Sequence, residues 1–246
     1  MGLFSRIAGG LFGFSLGGPI GAIIGIVLSD VVTGVGGGAQ RQISSHQQSQ
    51  TIFFAATFSL LGKLAKIDGN VSTEEIKEVD RFIKEQLKLD EASAKVARQI
   101  FNEAKNSPYN YQEFASQFAD IFRAQPQMLQ GMLDLLLRVA AADGVFDPKE
   151  EGFIDEVARL FGTPSSLYDH LKKQYQLTSD SHYAVLNLDP DASVDEIKRS
   201  YKKMVLECHP DRVLSQGMPE DFKKVVEEKF QKIREAYEAL QQQRGF

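Results

Sequence analysis

Tryptophan is absent from the 246 residues, and cysteine occurs once, at Cys208. A single cysteine excludes an internal disulfide and any zinc site built from several thiolates. An excess of positive charge is missing as well. The formal net charge of −5 at pH 7 argues against general nucleic-acid binding. No alternation of apolar and polar residues is long enough to announce a strand, so an all-α chain is expected. Neither a nucleophile–base pair nor a phosphate-cradling loop is visible, so the chain reads as a non-enzyme that calls for no cofactor. What is present is an apolar share of 43%, which suits a globular chain of one or two domains.

Charge is also missing locally. Ile7–Ser29 contains no charged residue and is bracketed by Arg6 and Asp30. As a helix these residues span about 34 Å, enough for a bilayer core. Gly9, Gly13, Gly17, Gly21 and Gly25 recur at every fourth position, flanked in the same register by Ser5 and Ser29. In water such glycines cost a helix about 1 kcal/mol each against alanine. In lipid a stripe of small residues lets two helices approach closely. The expectation is a glycine-rich transmembrane anchor over residues 1–30 that contacts lipid and forms a homodimer along the stripe, with a kink from Pro19 near Ser15. A cleaved signal peptide, with Gly37-Gly38-Ala39 as a poor cleavage site, and a buried soluble hairpin broken at Gly17-Gly18-Pro19 stay open as alternatives. A myristoylation start at Met1-Gly2 is discounted, because Arg6 occupies the position of the required Ser or Thr.

Residues 31–50, rich in Gly, Gln and Ser, read as a flexible linker. From 51 to 177 the periodicity is helical throughout, over Thr51–Ile67, Ser72/Thr73–Leu87, Glu91–Lys105, Tyr111–Arg123, Gln127–Ala142, Pro148–Phe161 and Pro164–Gln174. Short connections suit a compact bundle. Within it, Leu60–Gly69 aligns with Leu135–Gly144 at an offset of 75, and the match continues to Glu75 against Glu150. Each copy is a helix, an Asp-Gly turn and a new helix opening with acidic residues, which predicts two pseudo-symmetric halves on one core. With its Ala-x-x-Asp-Gly turns followed by Glu, the region resembles the TerB-like helical domain. Asp68, Glu74 and Glu75, with Asp143, Asp147, Glu150 and Glu151, are the oxygens that could hold a divalent ion. The calcium-loop spacing of an EF-hand is absent, however, and left-handed helix ends at Gly69 and Gly144 with acids favouring helix N-termini account for the same residues.

The C-terminal 180–246 is organised around Cys208-His209-Pro210-Asp211-Arg212. Before it runs an amphipathic helix with Ile197, Tyr201, Met204, Val205 and Cys208 on one face, while Lys198, Arg199, Lys202 and Lys203 mostly lie off that face. After it comes a second helix with Phe230, Ile233, Ala236, Tyr237 and Leu240 on one face. Pro210 cannot continue a helix, so the first should stop at Cys208 or His209 and leave the tripeptide on a loop between antiparallel helices. Tyr183, Leu186 and Leu188 offer a short leading helix, and Ser193 with Glu196 makes a capping box. Together these parts resemble the J domain of DnaJ-type co-chaperones. The resemblance implies docking on a DnaK-type Hsp70 through His209, Pro210, Asp211, Lys198, Arg199, Lys202 and Lys203, with ATP hydrolysed in the partner. No cysteine-rich zinc module or Gly/Phe-rich region of a full DnaJ is present.

The order of anchor, TerB-like bundle and J domain is similar to that of membrane-anchored DnaJ-like co-chaperones of Gram-negative bacteria. That likeness implies a single-pass protein of the bacterial inner membrane. An ATP-dependent partner would place the bundle and J domain in the cytoplasm, because Arg6 and Arg41 do not fix the orientation. The likeness departs before the J domain, where a linker that can be long in that family is nearly absent. The alternative function is a membrane stress-response scaffold with a metal-binding bundle.

Overall fold

The computed structural model describes residues 16–32, 44–67, 79–141, 148–176 and 182–246, and among them there is no strand. The elements are α1 (Gly18–Val32), α2 (Ser45–Leu64), a π-helical segment (Phe82–Gln86), α3 (Glu91–Asn106), α4 (Tyr111–Ile121), α5 (Pro126–Ala140), α6 (Pro148–Leu160) and α7 (Ser165–Gln176). The C-terminal part adds α8 (His182–Val185), α9 (Val194–Glu207), α10 (Pro210–Ser215), a 3₁₀ turn (Glu220–Phe222) and α11 (Lys223–Arg244).

The bundle is built around α2. A helix that is apolar all round has to be covered all round, and from Gln50 to Gly62 no residue of α2 is left open to solvent. Its buried threonines spend their hydroxyls locally, Thr51 Oγ1 on Gln47 O and Thr57 Oγ1 on Phe53 O, both at 2.8 Å. Helices α3, α4 and α5 pack around it. The ring of Phe53 meets those of Phe118 and Phe122 edge-on at 5.7 and 6.4 Å. The internal repeat has a spatial counterpart. Thr57 Oγ1 lies 3.7 Å from Met132 Sδ, and these positions are 75 apart, the offset of the repeat.

One expected boundary changes. The linker is shorter than 31–50, because α2 starts at Ser45, where Ser44 and Gln47 form a capping box. The apolar N-terminal run is described only in part. Residues 1–15 lie outside the described residues, and the helix that follows is 15 residues long, starting at Gly18. Pro19 therefore sits in a helix's first turn, where its missing N–H costs nothing, and the kink expected near Ser15 lies outside the described residues. Ile20, Ile23, Ile24 and Val27 are buried in the bundle core. Gln117 on α4 fastens the start of α1, accepting from Ile20 N at 2.9 Å and donating to Gly17 O. No helix among the described residues is long and apolar enough to cross a membrane.

Candidate functional site

Helix α9 opens at Ser193, whose hydroxyl accepts from Glu196 N at 3.3 Å while the Glu196 carboxylate accepts from Ser193 N at 2.8 Å. That cap fixes where the helix begins, and its apolar stripe fixes which side turns inward. Ile197 and Met204 face inward with Leu186, Ile233 and Leu240, and Tyr201 stacks on Tyr237 with ring centroids 3.9 Å apart. Lys198, Arg199, Lys202 and Lys203 are consequently exposed. Further along, His209 meets Phe230 edge-on at 5.4 Å. Partners on α11 thus fall in number as those on α9 rise, so the two helices run antiparallel, as expected.

Lys198, Arg199 and Lys202 line one shallow depression with Tyr201 and Tyr237, and Lys203 lies outside it. Lys198 Nζ also rests 4.8 Å above the ring of Phe246, near the chain's end. One turn beyond Lys202, Leu206 exposes an apolar side chain on the same helix.

The tripeptide is placed more tightly than a loop. The backbone of His209 is extended, at φ −61° and ψ 127°, as a residue before proline requires. Pro210 then opens α10 at its first position, so the tripeptide caps a short helix. His209 Nδ1 accepts from Asp211 N at 3.3 Å, and Asp211 stands in the first turn, where a carboxylate is favoured. The Asp211 side chain is 92% exposed and that of His209 is 47% exposed. Neither side chain is needed to fill the core. Cys208 packs on the core of this domain, and burial pushes its thiol up, which keeps it protonated at neutral pH.

The other candidate residues are not brought together. Asp68, Glu75 and Asp143 lie outside the described residues, and Glu150 sits in the first turn of α6. No group of three His, Cys, Asp or Glu that could hold a metal occurs among the described residues. Its neighbour Glu151 pairs with Lys172 on α7. Gly9 and Gly13 also lie outside the described residues. Gly17 precedes α1 with open space where a Cβ would go, Gly25 is equally free, and a Cβ on Gly21 would sit 1.7 Å from Leu16 O.

The sequence reading missed a polar cluster where α5, α7 and α11 meet. Asp134, almost wholly buried, accepts from Lys229 Nζ and from Tyr175 OH, each at 2.9 Å. One turn along, Arg138 reaches Glu228 at 2.9 Å. Burial pushes the Asp134 carboxyl up, but Lys229 and Arg138 outweigh it and hold the group below the usual carboxylate range. The available signal was Asp134 itself, an acid inside the apolar run Met132–Leu137.

Residues 54–173 match the family described as tellurite resistance protein TerB, and residues 181–244 match the DnaJ domain. The chain is similar over its full length to a protein of Coxiella burnetii named co-chaperone protein DjlA, at 29% identity over 100% of this chain and 99% of that one. A protein of the same name from Legionella pneumophila is 28% identical over 99% of this chain and 96% of its own. That of Escherichia coli K12 is 24% identical over 94% and 93%. No solved structure matches the chain.

Proposed function

We infer the function from one premise: the chain belongs to the DjlA-type co-chaperones, with a TerB domain followed by a C-terminal J domain. It is a DnaJ-like co-chaperone, a regulator of another protein's chemistry. The partner we propose is a DnaK-type Hsp70, docked on His209, Pro210, Asp211, Lys198, Arg199, Lys202 and Lys203. One observation carries this reading: His209 and Asp211, exposed and fixed at the cap of a short helix, follow an exposed basic helix face. Full-length protein in detergent should retain the Hsp70 in a pull-down and speed its ATP hydrolysis in single turnover. Failure on both counts refutes the reading.

The basic face implies an acidic counterpart. Exposed charges are screened beyond about 8 Å at physiological salt, so association should slow as salt rises while dissociation changes little. Lys202→Glu should reproduce at low salt the slower association that wild type shows at high salt, by about tenfold or more. An association rate insensitive to both salt and Lys202→Glu refutes the electrostatic part.

For location we propose a single-pass inner-membrane protein, tethered by the uncharged Ile7–Ser29 run, with bundle and J domain in the cytoplasm. Two tethers would pair along Gly9, Gly13, Gly17, Gly21 and Gly25. Gly17 is the cleanest position to test, because a Cβ there has open space around it. Gly17→Leu should weaken self-association of residues 1–35 in a bilayer dimerisation assay by roughly 1 kcal/mol or more, and Ile24→Leu should not. Equal dimerisation of both variants and wild type would remove the interface. The burial of Ile20, Ile23, Ile24 and Val27 favours a second reading, in which residues 18–27 stay on the bundle. A thiol probe on Ile23→Cys separates the two: the bundle-bound form shields it with or without lipid, whereas a tether shields it from water-soluble reagents only in vesicles.

A further inference from the structure

The apolar residues of the C-terminal part divide between two cores. Ile197, Met204, Ile233 and Leu240 form the J domain's own core. Val213, Met218, Phe222 and Val225, which lie between the tripeptide and the second half of α11, belong to the core of the bundle. Phe222 is fully buried, with its ring edge-on to Phe53 at 5.3 Å and to Phe54 at 6.2 Å. Gln50 Nε2 donates to Met218 O at 3.4 Å. Gly217, at φ +114°, brings the turn so close to α2 that a Cβ would lie 2.5 Å from Ser49 Cβ. On the other side of the seam Lys224 Nζ donates to Glu85 O at 3.0 Å, and the Asp134–Lys229 pair lies beside the apolar contact.

This division bears on α10. A helix of six residues has too little internal hydrogen bonding to hold itself. Its one buried side chain is Val213, and Val213 is part of the bundle's core. The residue that caps α10 is His209 and the first helical residue is Pro210, so the geometry of the tripeptide is the geometry of this helix's N-terminus. Docking leaves the functional face open, because His209, Asp211, Lys202 and Lys203 stay exposed in the docked form. The contact is therefore a support and does not mask the face.

We propose that the helical bundle is a positioning element for the Hsp70-docking tripeptide: α2 and α5 hold Val213 and the turn that follows α10, adding to the packing that α9 and α11 give this helix within the J domain, and opening the seam lowers the action on Hsp70. The inference rests on the Hsp70 reading for its second half only. Gly131→Leu tests it without touching the J domain's sequence. Gly131 is on α5, and a Cβ there would lie 2.8 Å from Met218 Cε, the flexible end of a side chain. Alanine can be accommodated by moving that end, whereas leucine must push the turn away.

The full chain carrying Gly131→Leu, Gly131→Ala or, from the J side, Phe222→Ser is compared with wild type in two measurements. Amide exchange over residues 209–219 should speed up about five- to tenfold in Gly131→Leu and Phe222→Ser, with α9 and α2 still protected as a sign that both domains stay folded. Maximal single-turnover stimulation of a DnaK-type Hsp70 should fall about five- to tenfold in the same two variants, with Gly131→Ala close to wild type. Unchanged exchange in both seam variants overturns the proposal, because α10 is then held by the J domain alone. Faster exchange with full or increased stimulation overturns it too, because the support is then irrelevant or inhibitory. If the wild-type chain itself fails to stimulate, the Hsp70 reading falls, and the exchange measurement still decides whether the bundle orders the tripeptide.

Discussion

Asp211→Asn is expected to return the Hsp70's single-turnover hydrolysis to its unstimulated rate while leaving this protein's own stability nearly untouched. The two halves of that expectation come from the same geometry. The Asp211 carboxylate is 92% exposed and lies 4.0 Å from His209 Nδ1, too far for a hydrogen bond between the side chains. An exposed charge with so little to do at home contributes within about 0.5 kcal/mol to folding. Losing a charge-assisted contact to a partner is far more costly, because the partner's group is then left desolvated and unpaired. His209→Gln should act similarly, with a somewhat larger effect on the fold, since the ring caps α10 through Asp211 N and packs on Phe230. A helix cap is worth about 1 kcal/mol. Thermal melting alongside hydrolysis separates the roles. Wild-type stimulation by either variant would remove the tripeptide from the docking surface, and a collapse of the melting transition in Asp211→Asn would show that its role is in folding.

The second large effect is expected from Lys229→Met. Asp134 would keep its burial and its bond from Tyr175 but lose the cation at 2.9 Å. Breaking a buried pair by removing one partner costs about 3–5 kcal/mol, because an uncompensated charge remains inside. The cost should appear as faster amide exchange along α5 and the first turns of α11, whether the seam or the whole fold opens. The pH dependence has a definite sign. In wild type the Asp134 carboxyl is held below its ordinary value, so its contribution is present above about pH 3.9 and is lost as the pH falls through the lower folded value. Lys229 is raised, despite its burial, by the Asp134 charge, so its contribution is present below about pH 10.4 and is lost as the pH rises through the folded value. In Lys229→Met burial of Asp134 is no longer offset by its nearest cation, so the deficit should shrink toward acid pH. Adding Asp134→Asn keeps an acceptor for Tyr175 and removes the charge, and should recover much of the loss. Exchange unchanged in the single variant, or no recovery in the double one, would show that the pair is not electrostatically coupled.

The residues that were legible in the sequence are those whose local signal and tertiary role agree. Ser193 and Glu196 are a cap in any context, and the stripe of Ile197, Tyr201, Met204 and Val205 sets which side of α9 turns inward, so the exposed positions of Lys198, Arg199, Lys202 and Lys203 could be read in advance. The repeat was legible for the same reason: Leu60-Leu61 and Leu135-Leu136 are buried copies of one pattern. What stayed hidden depends on contacts between distant residues. Nothing near Phe222 says that its neighbours are Phe53 and Phe54, and nothing near Asp134 says that Lys229 will reach it. The tripeptide stood between these cases. Pro210 correctly ended α9, but proline is as good at starting a helix as at stopping one, and only the structure distinguishes a loop from a cap. The run at Ile7–Ser29 was ambiguous in its chemistry, since absence of charge asks for burial without saying whether lipid or protein provides it.

The cover of α2 has a consequence in time. Phe53 and Phe54 leave the ribosome roughly 170 residues before Phe222, the ring that closes over them. At the usual pace of synthesis this is an interval of about 10–30 s. During it the nascent bundle carries an apolar opening where the C-terminal domain will sit. An apolar opening of this kind is the surface through which an incompletely made chain is exposed to association with its neighbours.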